Sequence, residues 1–203
     1  CTARQLALYQ PADILETLAQ NPGQDAAVLY SGDTGFYSGA GALCRALDAA
    51  GTPYTVEPGV SSVQLLAAAL GRPWQDWQLV SAHGCACDPV AACQKGVPTF
   101  FLTGGSETPA TLCARLAAAG YGEVIATVGE NLGSDAQRLV TDTVAALAQQ
   151  QFAPLSVLLA ERCPAPPRRT AAGRRSCFCS VCCLPPRCPA SGLCSRPAGA
   201  AGL

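Results

Sequence analysis

Two short turns carry the residues of this chain best suited to holding a small molecule. Ser31-Gly32-Asp33-Thr34-Gly35 follows an apolar run, Ala26 to Tyr30, and leads through Phe36-Tyr37 into a glycine-spaced stretch with Leu43, Leu47 and Ala50 on one helical face. Strand, tight polar turn and helix in that order are what an open α/β sheet uses to present backbone amides and a carboxylate to a ligand. Asp33 has the chemistry to accept hydrogen bonds from amine or hydroxyl groups, and Gly32 and Gly35 allow close backbone approach. Asp also commonly closes a turn of its own, so the residue alone leaves both roles open. The second turn, Pro58-Gly59-Val60-Ser61-Ser62, repeats the arrangement: Ser61 has the place of a helix N-cap with Gln64 completing a capping box, and the free amides after it suit an anion.

Two further groups deserve chemistry of their own. His83, in Ser81-Ala82-His83-Gly84, is the only histidine, and an imidazole suits proton transfer near neutrality. Thr103-Gly104-Gly105 followed by Thr108-Pro109 marks a strand end and a capped helix start. Familiar nucleotide signatures are not met: Gly35, Gly39 and Gly41 miss the G-x-G-x-x-G spacing, and no P-loop lysine is present. No metal-ligand cluster, Ser-His-Asp set or carboxylate pair stands in the first 162 residues.

The elements that position these residues alternate. Helical periodicity covers Pro11 to Asn21, Gly41 to Ala50, Ser61 to Leu70 (stopped by Gly71 and Pro73), the stretch after Thr108 with Leu112, Leu116 and Ala119 aligned, and Ser134 to Gln150 with Val140, Val144 and Leu147 in register. Strands are expected at Ala26–Tyr30, Tyr54–Glu57, Trp77–Ser81, Val97–Thr103, Val124–Val128 and Leu155–Ala160. This alternation predicts an α/β fold with parallel or mixed sheets flanked by helices. A Cys/Gly-punctuated connection, residues 85–97, divides an N-terminal α/β domain, 1–84, from a C-terminal one, 98–162.

Composition changes abruptly near Arg162. Up to that residue the chain holds seven basic and 14 acidic residues; residues 163–203 carry six arginines, no acid, seven prolines and seven of the 13 cysteines. The six cysteines before residue 163 are mostly scattered singly, as in a reducing compartment, and no apolar run approaches bilayer length. A cytoplasmic location without membrane or nucleic-acid partners is the expectation. In the tail, Cys177-x-Cys179-x2-Cys182-Cys183 lacks paired zinc spacing. Its Arg/Pro/Ala/Gly/Cys content is that of GC-rich DNA read out of frame, so the tail is read as a frameshift product, a disordered extension or a metal-binding segment, the last making the chain a non-catalytic Cys-rich binding protein.

SGDTGFYSGAGAL, VEPGVSSVQLLAAALG, WQDWQLVSAHG, FFLTGGSETPATLCARL and VGENLGSDAQR, in that order, resemble the tetrapyrrole methylase family over about residues 1–162, and most of all its cobalamin-pathway branch acting on C5 of precorrins. The resemblance implies two α/β domains, usually a homodimer, with S-adenosylmethionine bound between them and a precorrin as substrate. It further implies cofactor contacts from Gly32, Asp33, Thr34, Phe36, Ser61, Ser62, Thr103 and Thr108, and a substrate contact from His83. Thr34 stands where the family usually has proline, which predicts a looser loop, and Cys85 where an arginine usually follows Ser-x-His-Gly. The family's leading strand and G-x-G-P-G loop are expected upstream of Cys1, so these 203 residues alone are expected to show little turnover.

Overall fold

A computed structural model describes residues 4–163, so the readings made for the tail from residue 164 lie outside the described residues. Helices α1 (Pro11–Gln20), α2 (Ala40–Ala50) and α3 (Ser62–Leu70) come first. They are followed by β1 (Gln78–Ser81), α4 (Pro89–Cys93), β2 (Thr99–Leu102), α5 (Pro109–Leu116), β3 (Ile125–Glu130), β4 (Arg138–Thr143), α6 (Val144–Leu147) and β5 (Ser156–Ala160). The expected capping box of α3 forms: Ser61 accepts from the Gln64 amide while the Gln64 side chain returns to the Ser61 amide, and Gly71 closes the helix with φ of 62°.

The α/β class holds, with a five-stranded sheet in the order β1-β2-β5-β3-β4. It is mixed, as the expectation allowed. Only β1 and β2 run together; β2–β5, β5–β3 and β3–β4 are antiparallel. The connection 85–97, read from the sequence as a boundary between domains, is the crossover between β1 and β2. Two apolar layers cover the sheet. Phe101, Leu112, Leu116, Val128, Leu147 and Leu158 fill one cluster, and Phe100, Val63, Leu66, Trp77, Val157 and Leu159 the other. The alternation along β2 assigns Phe100 and Phe101 to opposite faces.

Three expected elements differ. Ala26–Tyr30 and Tyr54–Glu57 are extended but belong to no strand. Strand identity needs a ladder partner, and no backbone–backbone hydrogen bond reaches these residues from any described segment. They instead line a hollow of about 820 Å³ together with apolar residues of α1 and α2, with Leu29 91% exposed. The helix expected over 134–150 is a strand followed by one short turn. Residues 138–143, Arg-Leu-Val-Thr-Asp-Thr, pair with β3 through a loop that places Asn131 and Gly133 in the left-handed region, and Thr143 then caps α6 by accepting from the Ala146 amide. Val140, Val144 and Leu147 share a helical spacing by coincidence of a strand position with a following helix.

Candidate functional site

The two ligand-type turns are locked face to face. The Gly59 amide donates to Asp33 Oδ1 at 3.0 Å, and the Thr34 hydroxyl donates to the Glu57 carbonyl at 2.9 Å. Gly59 is so close to the first turn that a Cβ there would lie 2.2 Å from the Gly32 carbonyl oxygen. Thr34, where a looser loop was expected, thus restrains the loop through a side-chain bond. Asp33 uses one carboxylate oxygen in this lock, and Oδ2 has no hydrogen-bond partner among the described residues.

Phe36 points away from solvent. Its ring lies 4.8 Å from Tyr37 edge-on and 6.2 Å from Phe100, so it fastens the turn to one face of the sheet. Tyr37, at φ of 49°, reaches the Leu79 carbonyl with its hydroxyl at 3.4 Å. Ser61 is buried and spent on capping, whereas Ser62 is half-buried at the first position of α3. The Ser62 and Val63 amides donate to no group among the described residues, leaving the positive end of α3 with free donors.

A second hollow, about 330 Å³, opens where β2 ends beside the start of β5. Thr103, Gly104, Thr108, Phe152, Ala153 and Ser156 line it. Thr103 is buried, and its hydroxyl donates to the Ser156 carbonyl at 2.5 Å. Thr108 is exposed and caps α5 by accepting from the Thr111 amide at 3.2 Å. Gly32 and Thr34 line the larger hollow and Thr103 and Thr108 the smaller one; neither hollow is lined by both sets.

Sequence reasoning missed Phe152, Ala153, Pro154 and Ser156. Their place follows from the antiparallel pairing of Leu102 with Val157, which spacing does not reveal. The Ala-Pro step just ahead of the last strand was the available signal. Behind them, Glu130 is 3% exposed, accepting from the Ala153 amide at 2.6 Å and pairing with Arg138. The Arg138 bond, opposed by burial and aided by the Ala153 amide, holds the Glu130 carboxyl below its usual range.

A carboxyl with a depressed folded-state pKa stabilises the fold above its unfolded value, and that contribution disappears as pH falls through the folded value. Glu130→Gln is therefore expected to cost about 1–3 kcal/mol at neutral pH. The gap from the parent chain should close on acidification below the ordinary carboxylate range. Urea unfolding across pH 3 to 7, on the order of the span over which carboxylates titrate, checks it. A gap that does not change with pH would refute the assignment.

The family profile and the sequence relatives agree on one family. The profile of the tetrapyrrole (corrin/porphyrin) methylases matches residues 4–148. A precorrin-6Y C(5,15)-methyltransferase [decarboxylating] from Sinorhizobium sp is 32% identical over 149 residues, 73% of this chain and 35% of that protein. A precorrin-4 C(11)-methyltransferase from Mycobacterium tuberculosis is 46% identical over 54 residues, 27% of this chain and 22% of that protein. The chain thus spans about a third of the first relative's length and about a fifth of the second's. Among solved structures, a uroporphyrin-III C-methyltransferase from Thermus thermophilus complexed with S-adenosyl homocysteine superposes with a TM-score of 0.61 at 19% identity, covering 74% of this chain and 71% of that one. At that identity the match speaks for the fold. Among the described residues no helix is long and apolar enough to cross a membrane.

Proposed function

The chain belongs to the tetrapyrrole methylase family, and from that premise we propose that it serves S-adenosylmethionine-dependent methylation of C5 of a precorrin in corrin-ring biosynthesis. The observation that carries the choice of carbon is the 149-residue similarity to a C(5,15)-methyltransferase. The shorter, denser match to a C(11)-methyltransferase supports a second reading, the same chemistry at C11.

Two sets of residues, lining separate hollows, offer the groups a methyl donor needs. The smaller hollow is of ligand-pocket size, with the Phe152 ring for apolar contact, threonine hydroxyls, and glycine backbone free of side-chain bulk. Thr103 and Thr108 would hold the nucleoside from this side. Gly32, Asp33, Thr34 and the α3 amides around Ser61 and Ser62 would hold the amino-acid end: Asp33 Oδ2 suits an ammonium, and the free donors suit a carboxylate. Phe36 supports that turn through Phe100. In this reading the segments before β1 and after β2 contribute one set each, and a second copy of the chain is the expected partner.

When bound, the cofactor supplies an electrophilic sulfonium methyl group. What the chain contributes is alignment and exclusion of water, which needs rigid turns more than a strong base. Locked turns of the Gly32–Gly59 kind meet that need.

S-adenosylhomocysteine titrated into the purified chain is expected to bind weakly, with Kd of about 0.1–1 mM, and Asp33→Ala and Thr103→Val are each expected to weaken it. No saturable binding of the parent chain would overturn the methyl-donor reading. Incubation with labelled S-adenosylmethionine and candidate precorrins, with the labelled carbon located by NMR, separates C5 from C11.

A further inference from the structure

His83 belongs to neither turn nor hollow, yet its position is fixed by the sheet. Ser81 pairs with Leu102 in the parallel β1–β2 register, and the Ala82 amide continues the ladder to the Leu102 carbonyl at 2.8 Å. Two residues beyond Ser81, His83 therefore arrives beside Thr103 and Gly104. Its Nδ1 lies 3.3 Å from the Thr103 carbonyl oxygen. The ring covers the Gly104 backbone so closely that a Cβ on Gly104 would lie 1.9 Å from Nδ1 and 2.6 Å from Cε1. A carbonyl only accepts, so this contact selects the tautomer with the proton on Nδ1.

The turn this ring covers is a wall of the smaller hollow. Gly104 and Glu107 exchange backbone bonds of 3.1 and 3.3 Å, forming a tight reversal with Gly105 at φ of 64° that delivers Thr108 to its capping position. On one side the reversal is tied to β5 through the Thr103 hydroxyl and the Ser156 carbonyl. Further along it, the Thr111 hydroxyl donates to the Ser106 carbonyl at 3.2 Å and Arg115 pairs with Glu107, while at Thr103 and Gly104 themselves the imidazole lies against the backbone.

We propose that His83 is a positioning residue: packed on Gly104 and bonded to the Thr103 carbonyl, it braces the Thr103–Gly105 turn as a fixed wall of the hollow that receives the methyl donor. This rests on the function proposed above. It also gives Gly104 a requirement of its own, since a side chain there would push the exposed ring off the turn.

Because His83 is the only histidine, a single imidazole is seen in nitrogen-resolved NMR of the full chain, and it is expected as the Nδ1–H tautomer. A dominant Nε2–H form overturns the brace. The brace also predicts coupling in thermal unfolding. Gly104→Ala should lower Tm by about 2–4 °C in the parent chain and have little effect in His83→Ala, where the ring is gone; additive losses overturn it.

For ligand positioning, the probe is S-adenosylhomocysteine. His83→Ala and His83→Gln should weaken its binding about fivefold. His83→Asn should stay within about twofold, because the Asn amide nitrogen takes the place of Nδ1. Unchanged affinity in His83→Ala, or no distinction between Asn and Gln, overturns the positioning role. If the parent chain itself binds no S-adenosylhomocysteine, the methyl-donor reading fails and this role with it. Tautomer and coupling still report separately whether the ring braces the turn.

Discussion

Gly59→Ala is expected to destabilise the chain by about 3 kcal/mol or more and to abolish S-adenosylhomocysteine binding. The new Cβ would sit 2.2 Å from the Gly32 carbonyl oxygen, 3.0 Å from the Gly32 carbonyl carbon and 3.2 Å from Asp33 Cα. All three are backbone atoms of the opposing turn, so no side chain can swing aside to relieve the overlap. Relief requires the turns to separate, and separation stretches the Gly59 amide away from Asp33 Oδ1 and the Thr34 hydroxyl away from the Glu57 carbonyl. Stability and the ligand-facing geometry therefore fail together. Gly41→Ala is the matched control. At that position, within α2, the nearest atom to a new Cβ is the flexible end of Arg45 at 3.8 Å, and the helix should gain about 0.5–1 kcal/mol. Urea unfolding of both variants checks the contrast. A Gly59→Ala chain of parental stability would show that the two turns are not in contact.

Phe100→Ala carries the second large effect, an expected loss of about 3–5 kcal/mol. Phe100 is fully buried at the centre of β2, between Leu79 on β1 and Leu159 on β5, with Val63 and Leu66 of α3 in the same cluster. Removing the ring opens a cavity bounded by strands on both sides, where collapse is restricted. It also takes away the surface on which Phe36 rests, so the Gly32–Phe36 turn should loosen as well. Phe36 is only half-buried, and its truncation should cost less than that of Phe100. In the Phe36/Phe100 double-mutant cycle a coupling of about 0.5–1.5 kcal/mol is expected. Zero coupling would separate the turn from the sheet.

The helices were legible because their ends are chemically marked. Ser61 with Gln64, Thr108 with Pro109, and Gly71 each have an unambiguous local job, and each does it. The strands of the sheet were legible as apolar runs, but their direction was not. Alternation with helices left parallel and mixed sheets both open, and the short Thr143-capped α6 and the hairpin at Asn131 produce the antiparallel neighbours. Val140, Val144 and Leu147 show how a strand position followed by a one-turn helix imitates a continuous helical stripe.

The site was legible at its turns and hidden at its contacts. Gly32-Asp33 and Gly59-Val60-Ser61 stand out as ligand-type loops, but nothing in their spacing says that Gly59 must touch Gly32. Neither does it say that Ala26–Tyr30 and Tyr54–Glu57 go without ladder partners among the described residues. Phe152 to Ser156 joined the hollow only through β5. His83 attracted notice as a titratable group, while its contacts are with the Thr103 carbonyl and the Gly104 backbone.

The order β1-β2-β5-β3-β4 puts the last strand in the middle. Until Ser156–Ala160 has left the ribosome, β2 and the β3–β4 hairpin have no common neighbour, and both apolar faces lie open to water. Assembly of this half must then wait for translation to pass residue 160 and close some 60 residues of loop in one event, roughly the long-range pairing that slows folding. Nascent chains stalled short of that strand should be held by chaperones, and those stalled well past it should be released.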